Sequence, residues 1–256
     1  MRIGTYNVLG LRGYPPEASE KVIGDRLGEA AATHFAGVFG GLGCDALALQ
    51  EGVPFPQIQR VARAMGVNLA TFPSPCGWPG HLLTRCPILE SRAFSHFAPE
   101  AGDRPLSRVA GAALLEIGAA QRLWMVVIHL YPGIGEDRRA RRAPEAVILD
   151  ERVAALLSDT PNVIVLGDFN CEVSEDLHLC LKKRGFANAM ERVGGGLQPT
   201  IGAHAIDHIY VSPPLASRLT AARVIRHPGF CLDEPRVPGQ WAHSDHLPVI
   251  ADLAWP

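Results

Sequence analysis

The chain has 256 residues, 47% of them hydrophobic, and can bury a sizeable core as one large domain or two small ones. Its formal net charge of −2 excludes a general attraction to nucleic acid, because counterion release needs local clusters of Lys and Arg. No apolar run reaches the length of a membrane span, and no charged n-region precedes an apolar stretch at the start, so the expected location is cytoplasmic.

In chain order, Ile3-Gly4-Thr5-Tyr6-Asn7-Val8 alternates and predicts a strand over 2–8 that carries Asn7. Val22, Ile23, Leu27, Ala30, Ala31, Phe35, Val38 and Phe39 fall at helical spacing and predict one amphipathic helix ending at Gly40-Gly41. His34 beside its apolar face reads as a packed or surface residue. A strand over 46–49 ends in Gln50-Glu51, and Ile58, Val61, Ala62 and Met65 mark a second helix that stops at Gly66. Strands over 81–84, 109–117 and 123–130 follow, the last two joined by a turn at Gly118-Ala119-Ala120-Gln121, and the third carries His129. Ala146, Leu149, Val153, Leu156 and Leu157 predict a third helix.

The next strand, 162–167, is the most informative. An apolar β-branched run, Val163 to Leu166, ends in Gly167-Asp168-Phe169-Asn170. Residues two apart on a strand share a face, so Asp168 and Asn170 are expected to project together. A short helix around Leu177, Cys180 and Leu181, a strand over 206–211 containing Asp207-His208, and a strand over 247–253 introduced by Ser244-Asp245-His246 complete the chain.

Strands outnumber helices and often follow one another directly, which suits an α+β sandwich better than an alternating βαβ barrel. The 26 glycines and 21 prolines exceed the usual share of about 12% and imply many shaped loops. Residues 10–20, 92–107 and 227–243 are the candidates for the rim of a site. Trp241 in the last of these either stacks on a substrate group or anchors the loop. Six cysteines, at 44, 76, 86, 171, 180 and 231, contain no CxxC pair, so buried or incidental thiols in a reducing compartment are favoured over zinc. The run Arg138-Arg139-Ala140-Arg141-Arg142 reads as a solvated helix face in preference to a phosphate-steering patch.

Asn7 in TYNVLGL, Glu51 in LALQE, His129 in IHL, Asp168 and Asn170 in GDFN, Asp207 in AIDHIYVS and Asp245-His246 in SDHLPV resemble, in order, the motif series of the endonuclease/exonuclease/phosphatase superfamily. That group includes DNase I-like nucleases, abasic-site endonucleases, inositol phosphatases and neutral sphingomyelinases. The series spans residue 2 to residue 253. The resemblance implies one domain over 1–256, built as a four-layer sandwich of two mixed sheets packed face to face between helices, with the site at one end of the sheets.

It also implies a divalent-metal phosphoester hydrolase in which an activated water attacks directly. Hard oxygen donors suit Mg²⁺, with Mn²⁺ as a substitute, and Mg²⁺ takes one or two carboxylates. Glu51 is the first choice, with Asn7 and Asp245 completing the metal set. By resemblance His246 touches the scissile phosphate while Asp207 holds its other ring nitrogen, Asp168 orients or deprotonates water, and Asn170 donates to a phosphate oxygen or holds the transition state. His129 fills the slot that abasic-site endonucleases give to tyrosine, which leans toward the DNase I-like and phosphatase branches. His81 stands where the family often has asparagine, His208 should face away from the site, and His243 is either an outer support or exposed.

The expected substrate is a phosphoester: nucleic acid, a phospholipid head group or a phosphorylated small molecule. A lipid or inositol phosphatase is the alternative to a nuclease. A catalytically inactive binding module on the same fold is disfavoured because all eight polar positions are present. No obligatory protein partner is evident.

Overall fold

In the computed structural model of the protein, the described residues are 1–96, 106–118, 121–133, 135–232, 237 and 239–255. The strands are β1 (Arg2–Asn7), β2 (Ala46–Gln50), β3 (Asn68–Phe72), β4 (Gly80–Thr84), β5 (Ile88–Ala93), β6 (Val109–Ile117), β7 (Gln121–His129), β8 (Val163–Asp168), β9 (Ala187–Asn188), β10 (Asp207–Val211), β11 (Leu219–Val224) and β12 (Val249–Leu253). The helices are α1 (Pro16–Ile23), α2 (Glu29–Gly41), α3 (Phe55–Met65), α4 (Glu136–Asp159), α5 (Asp176–Lys183), α6 (Ala189–Val193) and α7 (Pro213–Ala216).

The strands form two six-stranded sheets. The first runs β11-β12-β1-β2-β4-β3 and the second β5-β6-β7-β8-β10-β9. Each is mixed, with one parallel pair, β1 with β2 and β7 with β8, among antiparallel neighbours. Strand periodicity explains how the sheets stack, since alternate residues face opposite sides. In β7, Leu123, Met125 and Val127 join the large core that both sheets share. The intervening Trp124, Val126 and Ile128 pack on the other side with Leu149, Val153 and Leu156 of α4. Each fully buried apolar side chain of this kind contributes about 1.5–3 kcal/mol. At Gly111 the sheets approach so closely that a Cβ would strike the Phe72 ring from the other sheet.

The helix expected over 22–39 is instead two. Gly24 at φ 62°, ψ −140° ends α1, Asp25 Oδ1 accepts the Leu27 N–H at 3.0 Å, and extended Gly28 starts α2. Val22 and Leu27, which the periodic pattern counted as core, are exposed. Strands β3, β5, β9 and β11, the edges of the two sheets, are not among the expected strands. The expected rim loop at 10–20 contains a 3-10 turn at Leu9–Leu11 and the start of α1. That at 92–107 falls largely outside the described residues, as do 233–236 and 238 of the third loop and 119–120 of the β6–β7 turn. Among the described residues, no helix is long and apolar enough to cross a membrane.

Candidate active site

Three strands of the second sheet end side by side. His129 pairs in register with Asp168 across β7 and β8, and Asp207 faces Asp168 across β8 and β10. All three are buried. Burial, and next the facing Asp207 charge, raises the Asp168 pKa above the ordinary carboxylate value, opposed by His246, His129 and Asn7. His129 Nε2 lies 3.6 Å from Asp168 Oδ2 and 3.9 Å from Glu51 Oε1, beyond hydrogen-bond reach, and neither ring nitrogen has a partner. Burial pushes His129 down to about 4, so the ring is neutral at pH 7.

Asn170 reaches this end by a left-handed turn at φ 52°, because β8 stops at Asp168. Strand alternation therefore does not place it. Its N–H donates to Asp168 Oδ1 at 2.9 Å, and its Nδ2 donates to the Leu130 carbonyl at 3.1 Å.

The first sheet supplies the opposite wall. Asn7 ends β1 beside Gln50 of β2, and its Nδ2 crosses to Asp168 Oδ2 at 3.0 Å. Its Oδ1 accepts the Leu9 N–H at 3.2 Å. Glu51 takes φ 49° as the chain leaves β2, and Gly10 N–H holds its carbonyl at 2.7 Å. Burial raises the Glu51 pKa, a hydrogen bond from Asn7 opposes the rise, and Asp168 adds to it. Gly52 is required for space, since a Cβ there would meet the His81 ring.

His246 arrives on the segment entering β12. Its Nδ1 lies 2.8 Å from Asp207 Oδ2 and its Nε2 3.9 Å from Asp168 Oδ2. Burial opposes its charge, but Asp207, followed by Asp168 and Asp245, overcomes this and raises it to about 10. Ser244 Oγ accepts the His246 N–H at 3.2 Å and donates to Asp245 Oδ1 at 3.3 Å. Asp245 is half-buried and acts electrostatically on His246 and the Tyr6 phenol.

Two residues escaped the sequence reading. Thr200 Oγ1 accepts the Ile206 and Asp207 N–H groups at 3.3 and 3.2 Å, and its carbonyl accepts the Leu247 N–H at 2.8 Å, so it ties the Asp207 and His246 segments together. A single threonine in a polar stretch gives no periodic signal. Half-buried Arg108 acts electrostatically on Glu51 and His129, and its Nη1 bonds Cys76 Sγ at 3.2 Å. Its only sequence signal was its place immediately before a strand.

Glu51, Asp168, Asp207 and Asp245 converge here against His246 and Arg108, so negative charge is in excess. Burial first, and then a neighbouring carboxylate, raises the Glu51 and Asp168 values, Asp207 Oδ1 has no hydrogen-bond partner, and the oxygen-rich donor set fits a hard divalent cation. Asp168, Asp207 and His246 have ligand atoms within 4.8 Å of one another and form a group able to hold a metal. A cationic imidazole whose Nδ1–H is committed to Asp207 cannot ligate, however. Within the trio Asp207 Oδ1 remains without a hydrogen-bond partner, and Glu51 offers a further carboxylate from the first sheet.

The remaining sequence candidates lie elsewhere. His81 is fully buried, with Nε2 3.0 Å from the Val53 carbonyl and Nδ1 3.1 Å from Thr71 Oγ1, which places it in the scaffold. His208 sits behind the site, against Asn188, Phe169 and His178. Trp241 Nε1 donates to Ser19 Oγ at 2.9 Å and so anchors its loop to α1. His243 is half-buried and packs among His34, Phe35 and Phe230. The arginine run is solvated except at Arg142, which is buried.

A family model described as Endonuclease/Exonuclease/phosphatase family matches residues 4–246. No curated protein matches in a sequence comparison. Among solved structures, the fold resembles a conserved protein of unknown function from Enterococcus faecalis V583 (15% identity, TM-score 0.72) and a mannosyl-6-phosphatase from Bacteroides thetaiotaomicron VPI-5482 (18%, 0.72), each with complete coverage of both chains. It also resembles a 3′ phosphatase from Neisseria bound to product DNA hairpin (18%, 0.67, both chains fully covered). At such identities these structures speak for the fold, whereas the family match extends across the strand ends just described. The chain belongs to the endonuclease/exonuclease/phosphatase family and is a phosphoester hydrolase.

Proposed function

We propose that the protein is a Mg²⁺-dependent phosphoester hydrolase that attacks its substrate with water and forms no covalent enzyme intermediate. The observation that carries this reading is the polar array in which Asp207 bonds His246 at 2.8 Å, His246 faces Asp168 across 3.9 Å and Asp168 accepts from Asn7 at 3.0 Å, with a cationic imidazole beside a carboxylate of raised pKa.

Asp168 takes the proton of the attacking water, a role favoured by a pKa nearer the working pH. His246, kept protonated by Asp207, donates from Nε2 to a phosphate oxygen. Neutral His129, with both ring nitrogens unpartnered, offers a second donor, and Asn170 uses the Nδ2 proton not engaged by Leu130. Glu51, Asn7 and Asp245 would hold Mg²⁺, with Mn²⁺ as substitute. Bound there, the ion would stabilise charge developing on the phosphoryl oxygens. Arg108 adds a fixed positive charge on the Glu51 side.

Of the substrate classes left open by the sequence, a terminal phosphate on a compact molecule or a nucleic-acid end is favoured. Two of the similar structures are by name a mannosyl-6-phosphatase and a 3′ phosphatase, and a net charge of −2 suits local phosphate recognition. Pairing of β1 with β12 supports one catalytic domain over 1–256, and the six free cysteines support a reducing, cytoplasmic setting.

The test is a panel of p-nitrophenyl phosphate, bis-p-nitrophenyl phosphate, sugar and inositol phosphates, 3′-phosphorylated DNA, abasic duplex and sphingomyelin, each with Mg²⁺ and with chelator. Turnover of one class that chelator removes and Mg²⁺ restores is expected. Turnover indifferent to chelator would overturn the metal assignment.

A further inference from the structure

Arg142 and Glu145, three residues apart on α4, are charged yet buried, and Glu175 joins them. Arg142 Nε and Nη2 grip the Glu175 carboxylate at 2.9 and 2.7 Å, while Nη1 donates to the Tyr131 and Gly133 carbonyls at 2.9 and 2.6 Å. Glu145 accepts the Ser107 N–H at 2.7 Å with one oxygen and the Tyr131 N–H at 3.0 Å with the other. Tyr131 is thus held at both its N–H and its carbonyl from a single helix.

Every one of these bonds ends on a loop that carries a site residue or directly follows one. Ser107 precedes Arg108. Tyr131 follows His129 and Leu130. Glu175 closes the loop that begins at Asn170. The link is direct at Leu130, whose N–H bonds the Asp168 carbonyl at 3.0 Å and whose own carbonyl receives Asn170 Nδ2 at 3.1 Å. A buried ion pair is a poor way to gain stability, because desolvating both charges offsets most of their attraction. Its merit is a fixed geometry, and here that geometry converges on three loop ends.

We propose that Arg142 and Glu145 are positioning residues: they lock the three loops together and thereby set the reach of Asn170 and Arg108 toward the substrate phosphate. This deepens the reading of Asp168 and Asn170 as reaction groups and rests on it. Lysine cannot replace Arg142, since a point charge lacks the planar fork that holds Glu175 and two carbonyls together. Misplacing reacting groups by about 1 Å can cost about 10²-fold in rate, so loosening this lock should act on kcat far more than on KM.

The experiment compares the full-length wild type with Arg142→Lys, Arg142→Ala and Glu145→Gln, using steady-state kinetics with Mg²⁺ and the ¹⁵N side-chain amide resonance of Asn170. The expected result is a lower kcat with near-constant KM, a shifted Asn170 amide signal in each variant, and partial recovery of Arg142→Ala on adding guanidinium ion. If Arg142→Ala does not fold, Arg142→Lys and Glu145→Gln report the same two quantities. An Asn170 signal unmoved in folded variants, or a kcat close to wild type, overturns the proposal. The amide signal is read without turnover, so a wild type inactive on every substrate would instead discard the functional reading and leave the lock testable.

Discussion

Asp207 Oδ2 lies 2.8 Å from His246 Nδ1, although Asp207 begins a strand of the second sheet and His246 enters a strand of the first. The carboxylate thus keeps the imidazole charged in a buried place where the neutral ring would otherwise prevail. The sign of the pH effect follows. His246 is cationic below a value of about 10, and activity that depends on the cation is lost as pH rises through it. Asp207→Asn removes the largest contribution that raises this value, so the alkaline limb of kcat/KM should move to lower pH. His246→Gln should abolish the limb, and the double variant should be scarcely worse than His246→Gln alone. A limb unmoved by Asp207→Asn would show that the pair is not coupled.

Glu51 is expected to hold the cation. Glu51→Gln keeps the shape of the side chain and removes its charge, so Mg²⁺ affinity and turnover should fall together while the fold persists. Titration calorimetry checks this. An affinity equal to that of the wild type would move the metal role to other oxygens of the cleft.

Asp168→Asn tests the base. Loss of a general base typically lowers the rate by about 10²–10⁴-fold, and this variant should fall at least that far with Mg²⁺ binding retained. A rate near wild type, measured under single-turnover conditions, would assign proton removal to another group.

His178 and His208 should make the fold sensitive to acid. Burial lowers them to about 2 and about 4, against 6.5 for the free side chain. Between those values the unfolded chain binds more protons, so stability is full above pH 6.5 and declines as pH falls, by up to about 1.4 kcal/mol per pH unit per histidine. His208→Gln should show a shallower decline in denaturant midpoint than wild type. Parallel profiles for the two would contradict this.

Gly167 should tolerate no side chain. It adopts φ 149°, and a Cβ there would overlap the Ile128 carbonyl of the neighbouring strand. Backbone strain and overpacking each cost about 1–3 kcal/mol, so Gly167→Ala should lower the melting temperature sharply. An unchanged melting temperature would mean that β7 and β8 can part without cost.

The sequence made the central strands and the polar residues at their ends legible, because apolar runs that stop abruptly at Glu51, His129 or Asp168 are local signals. Edge strands were not, since Ile88–Ala93 is mostly exposed and lacks a buried face to alternate against. The break between α1 and α2 was masked by apolar residues that kept helical spacing across Gly24 and Gly28. Thr200 and Arg108 serve the site through distant backbone and field effects, which spacing along the chain does not encode. Arg142 looked like one member of a solvated run because its two acceptor carbonyls and Glu175 become neighbours only after folding.

The hydrogen bonds Asn7–Asp168 and His246–Asp207 each join one sheet to the other. The proposed reaction centre is therefore also a gauge of alignment between the two halves of the sandwich. A lateral slip of about 1 Å would stretch both bonds toward or beyond the limit of a useful hydrogen bond, while the apolar interface, being non-directional, would barely register it. Volume changes in the shared core, at Leu166 or Val127 for instance, should accordingly dim turnover well before they lower the melting point.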